Sequence, residues 1–312
     1  MLGEDERLHP VGAGDDWFES WWFAFYVPER LLTVYVYPWF RPNLGLCGGG
    51  VIAWDERGIE SRAIVHHDYA WSLRFGGADT IVEGDAIVTP QGIRIDCLAP
   101  AERYRLRYER PGLAFDVEFE ASGGASRINT LVAEADIFKG HIDQPGRYRG
   151  WVRVGDDRHV VDCHCVRDRS WGPRGDDATG MHIGYYHATA SDKDAFLIFT
   201  HAGEDGDSST MISGYLIRDG IQAQLAEGRA RITRGSDLSP ATCVIDATDR
   251  EGRVLHAEGR GLTSVALLVQ PGMFNWSSLA EWRFGEAFAY GELQDTWHPD
   301  AYRVFARARG VR

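Results

Sequence analysis

The chain is nearly devoid of lysine: of its 33 basic residues only Lys139 and Lys193 are not arginine, which reads as codon bias. The basic residues are outnumbered by 46 acidic ones, leaving a formal net charge of −13. A protein that grips a phosphate backbone needs a positive surface, so this balance argues against nucleic acid as a partner. Long apolar runs are also missing. The longest, Trp21 to Val27, falls far short of the roughly 20 residues a spanning helix needs, so no integral membrane segment is expected. The opening MLGEDERLHP is acidic and polar, unlike a secretory leader, and the expected location is cytoplasmic. Cysteines number five, an odd count that favours reduced thiols over a disulfide framework.

Several chemical signatures are absent. There is no Gly-x-Ser-x-Gly, so no nucleophile elbow is indicated. No phosphate loop or dinucleotide fingerprint occurs. Gly48-Gly49-Gly50 is followed by neither a lysine nor a helix and reads as a strand irregularity. Cys163-His164-Cys165 invites a zinc site, but a second cysteine pair is missing. His182 and His187, five apart on one strand, would face opposite ways. Neither a metal nor a cofactor is expected.

What the sequence has in quantity is glycine (36), tryptophan (11), tyrosine (12) and phenylalanine (14). Its dominant period is two. Leu113, Phe115, Val117 and Phe119 alternate with Ala114, Asp116, Glu118 and Glu120, the pattern of a half-buried strand. Similar short runs recur along the chain, separated by turns such as Pro111-Gly112 and Glu251-Gly252. No segment carries a helical stripe, although Asp15 to Ser20 could make one turn. Many short strands imply sandwiches or barrels, and closure removes exposed edges. The expected fold is all-β: two antiparallel barrels in tandem, over 1–142 and 143–312, with the break in the polar stretch KGHIDQPG.

Six of the eleven tryptophans lie in the first 71 residues, which predicts either a large aromatic core or a pocket for an extended apolar ligand. The densest polar segment runs from Cys163 to Arg174. Alternation puts His164 and Asp168 on one face, and Cys163, Cys165 and Arg167 on the other. Three arginines near Asp168 could hold it ionised as a structural clamp, or orient a ligand's polar group. Towards the C-terminus Phe288, Tyr290 and Glu292 share a face. A carboxyl among rings loses solvation and can stay protonated near neutral pH, as a general acid must, although Glu292 could instead pair with Arg283 at an edge. Asp168 and Glu292 are the candidate acids, with His164 and His182 as proton partners. Trp171, Arg174, Arg167, Tyr185, Tyr290, Trp282 and Trp22 are candidates for lining a substrate.

Three segments carry a family resemblance. Glu19-Ser20-Trp21-Trp22-Phe23, Asp168-Arg169-Ser170-Trp171-Gly172-Pro173-Arg174, and the stretch from Glu281-Trp282-Arg283-Phe284 to Gly291-Glu292 resemble the superfamily of hydroxyneurosporene synthase (carotenoid hydratase) and AttH-like proteins, in its bacterial branch of paired domains. The resemblance implies two lipocalin-like barrels and apolar substrates such as isoprenoids, polyketides or steroids. It also implies water addition to a carbon–carbon double bond, or cyclisation. Asp168, Trp171 and Arg174 carry over as motif positions. The expected activity is that of a cofactor-independent hydratase or isomerase acting on a hydrophobic alkene. The alternative is a carrier of a hydrophobic small molecule, and a homodimer is a further open expectation.

Overall fold

The computed structural model describes residues 6–11, 14–57, 63–74, 76, 82–127, 140–174, 182–203, 205–270 and 272–311. The chain divides into two compact units. The first contains β1 (Trp17–Val27), β2 (Leu32–Arg41), β3 (Leu46–Trp54), β4 (His66–Arg74), β5 (Val82–Glu83), β6 (Ala86–Val88), β7 (Arg94–Ala99), β8 (Arg103–Arg110), β9 (Leu113–Ala121), β10 (Ser126–Arg127), β11 (Gly140–Val154) and β12 (Asp157–Pro173). These strands form one sheet in the order β4-β3-β2-β1-β12-β11-β9-β8-β7-β6-β5, with β10 on β11.

The sheet is open but curled. Tyr108 on β8 donates its hydroxyl to Asp68 at 2.7 Å and meets His66 at 2.8 Å, although β8 and β4 are seven steps apart along the sheet. The alternating residues read from the sequence line its concave side: Tyr104, Leu106, Tyr108, Phe115, Val117 and Phe119 are all buried. Phe25 packs edge-on against Phe115, and Phe23 against Phe119, so rings from β1 and β9 fill much of this side. The glycine run does mark an irregularity. Register shifts between Cys47 and Gly49, Gly49 has φ +80°, and a Cβ on Gly48 would sit 2.2 Å from the Trp39 ring.

The second unit closes fully. β13 (His182–Thr189), β14 (Ala195–Ala202), β15 (Ser208–Arg218), β16 (Ile221–Arg234), β17 (Pro240–Asp249), β18 (Val254–Gln270), β19 (Met273–Phe284) and β20 (Ala287–Trp297) form an antiparallel barrel in chain order. Its interior is packed with Tyr186, Phe196, Ile198, Leu216, Trp282 and Phe284, among others. A helix, α1 (Pro299–Ala308), follows the last strand.

Three expectations need correction. The barrel boundary at 142/143 is displaced, because β11 and β12 pair with each other over fifteen positions and β12 also pairs with β1, inside the first unit. The helical turn at Asp15 to Ser20 gives way to β1, which begins at Trp17. The chain also has the α-helix that its strand-dominated pattern concealed. The cues for α1 are ordinary ones: Pro299 at the first position, the His298 side chain accepting from the Asp300 amide, and Tyr302, Phe305 and Ala306 on one face.

Candidate functional site

Strand β12 presents opposite chemistry on its two faces. On the concave side, Cys163, Cys165, Arg167 and Arg169 follow one another at spacing two. Arg167 lies 2.6 Å from Glu6 Oε1, donates to Gln144 Oε1 at 2.8 Å and covers the Tyr104 ring at 4.2 Å. Arg169 pairs with the Glu19 carboxylate, donates to the Ser170 carbonyl at 2.6 Å and stacks over Trp21 at 3.8 Å. Burial works against ionisation of Glu19, but His9 and Arg169 overcome it and hold its carboxyl below the usual range. Two of the three arginines expected to surround Asp168 are therefore committed to other carboxylates, behind the sheet.

Asp168 points to the other face. The register sets it opposite Asp143 on β11 and Trp22 on β1, and sets Ser170 opposite His141. Donor and acceptor atoms of His141, Asp143 and Asp168 all lie within 4.8 Å of one another. His141 is spanned by two neighbours: Nδ1 is 2.7 Å from Ser170 Oγ and Nε2 is 3.1 Å from Asp143 Oδ1. Burial opposes protonation of His141, yet the Asp143 carboxylate outweighs it and raises the imidazole's pKa. Burial pushes Asp168 up to about 7, with Asp143 adding to the effect and His141 and Arg174 opposing it. Asp168 Oδ1 is buried and has no hydrogen-bond partner.

Arg174 is the guanidinium on this side that acts on Asp168 most strongly. It stacks over Phe18 at 4.5 Å and is hydrogen-bonded to Tyr37. The Trp22 ring meets Tyr35 edge-on at 5.2 Å, supplying the apolar neighbour of the cluster. His141, Asp143 and Asp168 also form the set whose donor types and spacing suit a metal ion, although His141 already spends both ring nitrogens on Ser170 and Asp143. The sequence reading missed His141 and Asp143, which fall in the stretch taken for a linker. Their spacing of two was visible, but only the β11–β12 register brings them to Asp168.

The other expected residues of this unit are spread out. His164 shares the Asp168 face of β12 but sits four residues along, opposite Arg147. Trp171 lies on the Arg169 side, stacked on His9 at 4.3 Å. A Cβ on Gly140 would fall 1.9 Å from the Trp171 ring, so only glycine fits beneath it.

In the second unit, Glu292 faces away from the barrel interior and is nevertheless buried, at 1% exposure. Its Oε2 lies 3.3 Å from His187 Nε2, and its Oε1 has no hydrogen-bond partner. Burial alone lifts its carboxyl well above the usual range. Arg283, its expected alternative partner, pairs in register with Phe288. Tyr185 is on the same side, meeting His187 edge-on at 5.3 Å and Phe199 at 5.5 Å. Tyr290 is half-buried against Phe288 at 5.6 Å.

Two expected residues of this unit are structural. Trp282 is fully buried in the barrel core, edge-on to Phe196 at 5.2 Å. His182 belongs to a plug at one end of the barrel. It pairs with Asp295 at 2.6 Å and stacks on Trp297 at 3.3 Å. Asp295 also takes Arg234 at 2.6 Å and the Trp297 indole at 2.8 Å. Phe305 of α1 lies 4.7 Å from Trp297 and 5.0 Å from the Arg234 guanidinium, which ties the helix to the same cluster.

Comparison with known proteins supports the fold. The chain is similar to the crystal structure of an AttH-like protein of Nitrosomonas europaea, with a TM-score of 0.64 and 14% identity, over 94% of this chain and 95% of that one. It is also similar to kievitone hydratase of Nectria haematococca, with a TM-score of 0.53 and 9% identity, over 91% and 88% of the two chains. At such identities the likeness concerns the fold. No curated protein matches the sequence. A family model does, over residues 3–299, and the chain belongs to that family, DUF7064, a domain of unknown function.

Proposed function

We propose that the protein is a cofactor-independent hydratase or isomerase of a hydrophobic alkene, and that Asp168 is its proton donor. The observation that carries this reading is the state of Asp168: its carboxyl is pushed up to about 7, and its Oδ1 is buried without a partner. A general acid works best when its pKa lies near the operating pH. The fold shared with a hydratase supports the same reaction class.

The steps balance without a cofactor. Asp168 gives its proton to one alkene carbon and becomes a carboxylate. The carbocation on the other carbon is stabilised by ring faces, of which Trp22 is the nearest in register to Asp168. Water adds to the cation, and the proton it sheds returns to Asp168. If the Asp168 carboxylate instead takes a proton from an adjacent C–H of the cation, the product is an isomer and the acid is regenerated. His141, held by Asp143, hydrogen-bonds Ser170 and stabilises the negative charge that develops on Asp168 in the carboxylate form. Arg174 acts in the same sense.

Glu292 is a second carboxyl suited to proton donation, because burial raises its pKa well above the usual range and its Oε1 is unbonded. Incubation with a panel of isoprenoid and steroid alkenes in ¹⁸O-labelled water tests both readings. Label in the product, abolished by Asp168→Asn and retained by Glu292→Gln, supports Asp168 as donor. The reverse pattern transfers the role to Glu292, and no labelled or isomerised product from any substrate overturns the proposal.

A further inference from the structure

The first unit contains a cavity of about 660 Å³ that has no part in the chemistry just described. Its volume lies within the roughly 300–1,000 Å³ of small-molecule sites. Trp21, Ile95 and Tyr104 wall it and are buried, so its inner surface is apolar and ring-bearing. Arg7 and Asp85 stand exposed at its rim, one charge of each sign. The cavity lies on the concave side of the sheet. Trp21 shares that side with Arg169, whereas Trp22, Asp168 and His141 face the opposite way. A molecule in the cavity is therefore separated from the Asp168 carboxyl by the sheet itself.

The charge inside is already matched. Glu6 lines the cavity, but Arg167 occupies both its oxygens, at 2.6 and 3.3 Å. An ionic group entering would find no free counter-charge at the floor and would lose its hydration. The thiol and hydroxyl on its wall favour their neutral forms: burial pushes Cys97 up to about 11 and raises Tyr104 as well.

The geometry points to a second small-molecule site in this cavity, one that holds an uncharged, ring-bearing lipophile without converting it, with any hydroxyl or carbonyl of the ligand turned to the Arg7–Asp85 rim. It is independent of the Asp168 chemistry and stands or falls separately from it.

Cys97 provides the readout. It lines the cavity, and it is the one cysteine of the five that is not buried. The intact protein is titrated with N-phenyl-1-naphthylamine, a neutral fluorescent lipophile, while alkylation of Cys97 by N-ethylmaleimide is followed by mass spectrometry. The expected result is saturable binding of one probe per chain, with Cys97 alkylation slowed at least tenfold at saturation. The anionic 8-anilinonaphthalene-1-sulfonate should protect Cys97 at least tenfold less well at equal concentration. Asp168→Asn, on the opposite face, should leave protection by the neutral probe intact. Absence of binding, binding that leaves Cys97 alkylation unchanged, equal protection by the anionic probe, or loss of protection in Asp168→Asn overturns the inference. All four readings are made on chains whose cavity lining is unaltered, and none requires turnover.

Discussion

Asp295 is fully buried and Asp168 half-buried, one in each unit, and their surroundings drive them in opposite directions. Asp295 gathers His182, Arg234 and the Trp297 indole within 2.8 Å. Burial disfavours its charge, but these partners overcome it and hold its pKa below the ordinary value. Asp168 faces a second carboxyl across the strand pair and keeps one oxygen unbonded, so burial prevails. Burial sets the cost of a charge; the number of donors decides whether the charge stays. A fully bonded carboxylate is a structural part, and the deprived one retains a proton to give.

Breaking the satisfied cluster should produce the largest effect. Arg234→Met strands Asp295 without its guanidinium inside the barrel end, and the expected loss is about 3–5 kcal/mol, read from denaturant unfolding. The deprived site should respond with the opposite sign. Asp168 has a folded pKa of about 7 against an ordinary 3.8, so the native state binds the extra proton between those values. Its contribution is favourable in acid and is lost as pH rises from about 4 to about 7. Asp168→Asn should therefore stabilise the protein above neutrality, by up to about 4 kcal/mol for a shift of about three units, and have little effect near pH 4. Unfolding curves at the two ends of that range check this, and Glu292→Gln should follow the same sign. On a converted substrate, Asp168→Asn should cut turnover by about a hundredfold or more, the usual contribution of a general acid. His164→Ala, further along the same face, should change stability by less than about 1 kcal/mol and leave turnover intact.

The same contrast explains what was legible in the sequence. Period-two alternation identified the strands and placed Asp168 and Arg167 on opposite faces of β12, and the chain does arrange them so. It could not say that Glu6 and Glu19, more than 140 positions away, would draw Arg167 and Arg169 off Asp168. The clustering of three arginines near one aspartate in sequence suggested a clamp; pairing across the sheet dispersed it. His141 and Asp143 were read as linker for a related reason. A polar, turn-rich string resembles a boundary until its partner strand is known, and that partner pairs in turn with β1 at the far end of the first unit. His182 and Trp282 were misplaced because alternation tells that a residue faces one side of a strand without telling which side the barrel encloses.

The protonation state of Asp168 is open to direct observation. Infrared difference spectra recorded between pH 5 and pH 9, for the wild type and for Asp168→Asn, would isolate the carbonyl band of its neutral carboxyl. The prediction is a carboxylic-acid band that titrates near pH 7 and is missing from the variant. A wild-type spectrum in which Asp168 is already a carboxylate at pH 5 would contradict it.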